Sequence, residues 1–220
     1  IRVRKAMGGS TVGNDTPSRE DLEERRARTL KNIERECDCL VTRSLIRLKM
    51  ESGPDTSASP SLESCNDLLH AIEKGEKYNV ACYTAYYNYG TLLLRNNKIS
   101  KAIEMFSKCI SSSPDPYYLA YINRGIAYGV SMQYDKAFSD FDYVLKEQPS
   151  NIHLLYNRAV LNKLNGNLQD ALSDLNCAIM YSPDDAQLYS ERGRIYSAQN
   201  KMQMAMVDFA IALQLDEFSV

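Results

Sequence analysis

Four short segments of this chain recur at a nearly fixed interval. Tyr86–Gly90, Tyr121–Gly125, Leu155–Ala159 and Tyr189–Gly193 align at spacings of 35, 34 and 34 residues. A period of that length means copies of one supersecondary unit stacked in an array, because a single unit of this size cannot bury its own apolar face. The match extends beyond the segments. Twelve residues after each small residue stands an alanine (Ala102, Ala137, Ala171, Ala205), and four further on a large apolar residue (Phe106, Phe141, Leu175, Phe209). Three more residues bring Cys109, Val144, Ala178 and Ala212. The first three units close on Pro114, Pro149 and Pro183, whereas the fourth has Glu217 at that position.

Apolar positions inside each unit fall at helical spacing. In the second unit they are Tyr121, Gly125 and Tyr128 on one helix, then Ala137, Phe141 and Val144 on the next. Glycine or alanine at the crossing lets two antiparallel helices approach, and the aromatic fills the space beside it. Asn97, Gly166 and Asn200 lie between the paired helices, where a left-handed residue closes the first helix. Met132 breaks that pattern. The prolines stop each second helix.

This small–alanine–aromatic–proline series resembles the tetratricopeptide repeat over residues 83–219, about 60% of the chain. Two departures stand out: Tyr86, Tyr121, Leu155 and Tyr189 hold the family's tryptophan position, and Ala159 replaces one glycine. The resemblance implies an all-α, right-handed α-solenoid with an N-terminal helical extension. Its units would be 83–117, 118–151, 152–185 and 186–219, within a repeat domain spanning 78–220. First helices would line a concave groove.

The N-terminal part differs in composition. All 15 Tyr and 5 Phe fall between Tyr78 and Phe218, so residues before Tyr78 can build only an aliphatic core. Residues 1–17 read as a flexible tail. Ser18 is expected to cap a long amphipathic helix over 18–50, with Asp21/Arg25 and Glu24/Arg28 pairs on its first turns. Its apolar stripe reads Leu30, Ile33, Cys37, Leu40, Val41, Leu45 and Leu48. Ser44 and Arg47 interrupt the heptads, which weakens a coiled-coil reading. Residues 51–63 read as a linker, and Ser64 opens a short helix over 64–77 with a stop near Gly75. That helix is either a cap on the first repeat, the preferred reading, or half of a degenerate fifth unit. At the other end no polar-faced helix closes the array, which suggests further chain or a docking surface. The chain opens on Ile1, as a fragment would.

Composition excludes several function classes. No apolar run is long enough to span a membrane and no secretory signal is visible. Six cysteines show no disulfide framework, so an intracellular, cytoplasmic location is the default. No specific residue points to a cytoskeletal or ciliary assembly. No cofactor, metal site or enzymatic activity is expected: His70 and His153 are isolated, and Cys37-x-Cys39 has no second pair. Cys109 and Cys177 are read as packing residues. Residues 1–50 hold 12 basic against 8 acidic side chains, the remainder 14 against 20. An acidic repeat region disfavours nucleic acid, including binding of the pentatricopeptide kind.

What remains is the groove. Asn88, Asn123 and Asn157 take the same place in three units, with Glu191 in the fourth. An amide both donates and accepts, so a row of them can pair with the main chain of an extended peptide. The row resembles the asparagine ladder in the repeat region of O-linked N-acetylglucosamine transferase; the alternative is a structural amide within each repeat. Around it lie Tyr87, Arg95, His153, Tyr156 and Arg194, with Thr91, Leu119, Ile122, Ile126 and Val160. The family's clamp for acidic chaperone tails needs cations, but those positions are Tyr87, Thr91, Asn123, His153 and Asn157 in one register. In the next they are Ile122, Ile126, Asn157, Gln187 and Glu191. The expected function is therefore a non-enzymatic interaction module for an extended or helical protein segment that is not an acidic chaperone tail. The N-terminal helix would dock on a second partner or fold back. The alternative is a regulatory or substrate-selecting region of a larger enzyme or assembly.

Overall fold

A computed structural model of the chain describes residues 18–51 and 62–217. The expected flexible tail, most of the linker, and Phe218 and Val220 lie outside the described residues. Among the described residues there are ten α-helices and no strand. They are α1 (Arg19–Glu51), α2 (Leu62–Tyr78), α3 (Tyr83–Arg95), α4 (Ile99–Ser112) and α5 (Tyr118–Val130). Then come α6 (Tyr134–Glu147), α7 (Ile152–Leu164), α8 (Leu168–Tyr181), α9 (Ala186–Ala198) and α10 (Met202–Glu217).

Local chemistry sets these boundaries. Helices α4, α6 and α8 each end two residues before a proline, at Pro114, Pro149 and Pro183. Two residues past the ends of helices α3, α5, α7 and α9 stands a residue of positive φ: Asn97, Met132, Gly166 and Asn200. The amide that follows each one reaches back to the carbonyl five residues earlier, for example Gln133 N to Tyr128 O at 2.9 Å. Met132 therefore holds the same left-handed geometry as its counterparts, at φ 59° and 77% exposed, with no packing to compensate. Met132→Asn should raise stability by about 1 kcal/mol, because asparagine tolerates this conformation and methionine does not. Thermal unfolding checks this, with an increase of about 2–4 °C expected.

Ser18 and Asp21 form a capping box at the start of α1: Asp21 N donates to Ser18 Oγ, and Ser18 N donates to the Asp21 carboxylate, both at 3.1 Å. Asp21 is thus engaged at the cap and not with Arg25, while Glu24 and Arg28 pair as expected at 2.7 Å. The buried stripe of α1 is Ile33, Cys37, Leu40, Val41 and Ser44. Leu45 is 43% exposed, so the stripe advances by three residues to Ser44 and not by four. The first turns of α1 are exposed.

Two further expectations are corrected. Gly75 does not stop α2, which runs on to Tyr78. A Cβ at Gly75 would sit 2.5 Å from Cys82 Sγ, so glycine is needed there for close approach of α3. Cys177 is exposed, one position off the packing stripe that buries Ala178, whereas Cys109 is fully buried. Burial pushes the Cys109 thiol up to about 12, which makes it inert.

Each pair closes on a size match. An added Cβ at Gly90, Gly125 or Gly193 would meet the Phe106, Phe141 or Phe209 ring at 2.8, 2.5 and 2.8 Å. In the third unit Ala159 faces Leu175, both fully buried, so a larger residue on one helix accompanies a smaller one on the other. A polar feature repeats alongside. Arg124, Arg158 and Arg192 each grip an aspartate 16 residues later with two parallel hydrogen bonds: Asp140 (2.9 and 2.7 Å), Asp174 (3.0 and 2.6 Å) and Asp208 (2.8 and 2.7 Å). These aspartates are buried. Each arginine also donates to the preceding unit's second helix, at Ser107, Asp142 and Asn176 respectively. One side chain thus ties a unit together and ties it to its neighbour.

Candidate functional site: the first-helix groove

The curvature of the array follows from which helices meet. The first helices α3, α5 and α7 touch in succession, while α4, α6 and α8 are each separated by an intervening first helix. First helices therefore line the inner face.

The three asparagines differ in commitment. Asn88 Nδ2 donates to the Thr84 carbonyl one turn back at 2.8 Å, the structural alternative to a ladder. Asn123 Nδ2 reaches across to Tyr87 Oη at 3.3 Å and Thr91 Oγ1 at 3.4 Å, long contacts that bridge two units. Asn157 makes no side-chain hydrogen bond among the described residues. Glu191 is different again: it is 2% exposed, Lys163 pairs with one carboxylate oxygen, and Arg194 donates to the other at 2.9 Å. Burial pushes its carboxyl up, but the hydrogen bonds and charges of Lys163 and Arg194 outweigh this and hold it below the usual range. Glu191 thus neutralises two cations at this end and is occupied within the protein.

Among the flanking residues, Tyr87 packs its ring on Tyr117 and Phe106, at 5.1 and 6.1 Å between centroids, so it is part core and part groove. Tyr156 accepts a hydrogen bond from Gln187 at 3.1 Å. Arg95, His153 and Arg194 are exposed.

Between α5 and α7 lies a mainly apolar cavity of about 250 Å³. Ile126, Gly129, Val130, Tyr156, Asn157, Val160, Leu161 and Leu164 line it, together with Gly125 and Phe141 beneath. Gly129 brings the helices together, since a Cβ there would lie 2.8 Å from Leu161 Cδ1. Val130 and Leu164, 56% and 64% exposed, form its rim. The structure thus brings Tyr156, Asn157, Ile126 and Val160 into one concavity. Sequence reasoning missed Gly129, Val130 and Leu164; Gly129 was visible as a second small residue one turn after Gly125. Among the described residues, no group of three or more His, Cys, Asp or Glu could hold a metal ion, and no helix is long and apolar enough to cross a membrane.

Stacked antiparallel pairs with first helices inside define an α-solenoid. Residues 83–116 match the family model described as the tetratricopeptide repeat. The chain is 29% identical over 170 residues to human "Tetratricopeptide repeat protein 6", covering 76% of this chain and 30% of that protein. It is 29% identical over 131 residues to human "Tetratricopeptide repeat protein 13", covering 57% of this chain and 15% of that protein. The chain thus spans a third or less of these relatives. The solved structure "MamA 41-end from Desulfovibrio magneticus RS-1" superposes with a TM-score of 0.69 at 14% identity, covering 84% of this chain and 97% of that one. The repeated unit of this chain is the tetratricopeptide repeat.

Proposed function

We propose that this chain is a non-enzymatic protein–protein interaction module that grips a peptide segment on its inner face. The cavity between α5 and α7 would take one apolar side chain of the segment, and Asn157 would pair with its main chain. The observation that carries this reading is one uncommitted amide beside an open apolar pocket of side-chain size. The ladder then contracts to Asn157, with Asn123 able to leave its long contacts and join, while Asn88 and Glu191 serve the fold. Because Glu191 occupies Lys163 and Arg194, an acidic tail would find little charge to pair with at this end.

Peptides selected from a random library on the wild-type chain should share one large apolar residue. Asn157→Ala should weaken a selected peptide about five- to tenfold, the worth of one hydrogen bond. Val160→Glu, which puts a charge into the cavity, should abolish binding while circular dichroism stays unchanged. Fluorescence anisotropy reads both, and undiminished affinity in Val160→Glu would sink the proposal.

The second half of α1 with α2 supports a further reading, that of a divergent unit ahead of the four. Arg43 grips Asp67 through two nitrogens, as the later arginines grip their aspartates. The residues that follow, Ser44 and Leu68, are fully buried, as Gly125 and Phe141 are buried two units on. The Arg43 hydrogen bonds beside Asp67 outweigh burial and hold its carboxyl below the usual range. On this reading the N-terminal helix caps the array through its second half, and its exposed first turns are what a second protein could reach.

A further inference from the structure

Tyr128 and Tyr196 hold one register of the repeat, and the third unit breaks it at Asn162. In the second and fourth units the buried arginine lies over that tyrosine: Arg124 is 5.8 Å from the Tyr128 ring centroid and Arg192 is 6.0 Å from that of Tyr196. A lysine approaches each ring as well, Lys136 at 5.4 Å from Tyr128 and Lys201 at 6.0 Å from Tyr196. Both units thus occupy this place with a ring and an ammonium group of their own. The third unit has neither. Asn162 replaces the tyrosine, Asp170 stands where Lys136 does, and Asn167 where Lys201 does. A cavity of about 360 Å³ remains between α6, α7 and α8, and it shares no residue with the apolar cavity between α5 and α7.

The lining says what would fit. Asp142, Asp170 and Asp174 stand against one cation, Arg158, which is spent on Asp174 and Asp142. The Asp170 carboxylate forms no ion pair or hydrogen bond among the described residues. Asn162 is only 7% exposed; its Nδ2 donates to Asp174 at 3.2 Å, and its Oδ1 accepts nothing among the described residues. A buried amide oxygen without a donor is rare in a folded protein, and here it borders an open cavity. Several acceptors at separate edges call for a ligand with a fork of N–H donors, which a guanidinium has and an ammonium lacks. Half-buried Phe138 adds a ring on which a planar cation can lie. Asp142 is 61% exposed and Asp170 is exposed too, so the site opens to solvent. That suits the end of a side chain better than a free small molecule, which needs most of its surface enclosed.

We propose that this cavity binds an arginine side chain of a partner protein, its guanidinium shared among Asp142, Asp170 and the Asn162 carbonyl. The probe is N-acetyl-arginine methylamide, titrated into the 15N-labelled chain. The amide resonances of Asn162, Asn167 and Asp170 should shift and saturate, with half the change at about 1 mM. The neutral isostere N-acetyl-citrulline methylamide should leave them in place. Asp170→Asn, at an exposed position, should weaken binding about tenfold. Asn162→Tyr with Asp170→Lys installs the Tyr128–Lys136 pair of the second unit, and should abolish the shifts while the chain stays folded. Absence of saturable shifts up to about 20 mM would overturn the proposal. Equal shifts with the citrulline compound, or undiminished binding by Asp170→Asn, would overturn it as well.

Discussion

Arg158→Met is expected to destabilise the protein by about 3 kcal/mol, at the low end of what a broken buried pair costs. The Asp174 side chain is 7% exposed and takes both hydrogen bonds from Arg158, so removing the guanidinium leaves a carboxylate with only the 3.2 Å contact to Asn162. Arg158 itself is 25% exposed, and this partial hydration places the loss at the low end. The variant also loses the 2.5 Å tie to Asp142, the link to the preceding unit. Arg158→Met combined with Asp174→Leu should come back to within about 1 kcal/mol of wild type, because an apolar pair of similar volume leaves no charge buried. Urea unfolding of the two variants measures this through the transition midpoint at constant slope. A single variant that loses less than about 1 kcal/mol would show that the pair is only a surface ion pair.

Gly125→Ala is expected to cost about 1–3 kcal/mol even though alanine is the better helix former. Its Cβ would lie 2.5 and 2.7 Å from two Phe141 ring carbons and 3.3 Å from the Ala137 carbonyl, and a fully packed ring cannot swing aside. Phe141→Leu alone should also destabilise, by leaving a gap against Gly125. Together, Gly125→Ala and Phe141→Leu recreate the Ala159–Leu175 pair that the third unit already uses, so the double variant should recover about 1–2 kcal/mol relative to the sum of the singles. Chemical denaturation of all four proteins completes the cycle. Additive losses would mean that the pairing of sizes in the third unit is incidental.

These two contacts show how far the sequence could be read. The glycine–phenylalanine pairs were legible because both members sit at fixed positions in three of the four units and their sizes are complementary. The arginines lay in the repeated segments and their aspartates one residue before Phe141, Leu175 and Phe209, yet the pairing went unread. At that spacing an arginine before glycine reads as a solvated helix residue, and only the crossing of two helices puts an aspartate beneath it. Ser44 and Gly75 failed the other way. In the sequence one reads as a heptad interruption and the other as a helix stop, but both are small because α2 or α3 passes close by.

By itself, then, the sequence determined the period, the helix pairs, and their αL and proline punctuation. All of these depend on residues near one another in the chain or on a repeat that copies them. The tertiary structure decided what each inward residue does. Asn88, Asn123, Asn157 and Glu191 share one register, but one bonds its own helix, one bridges units and one lines a cavity, while Glu191 is buried under two cations. Equivalent positions acquire different neighbours because the residues packed against them come from the adjacent unit, and those do not repeat.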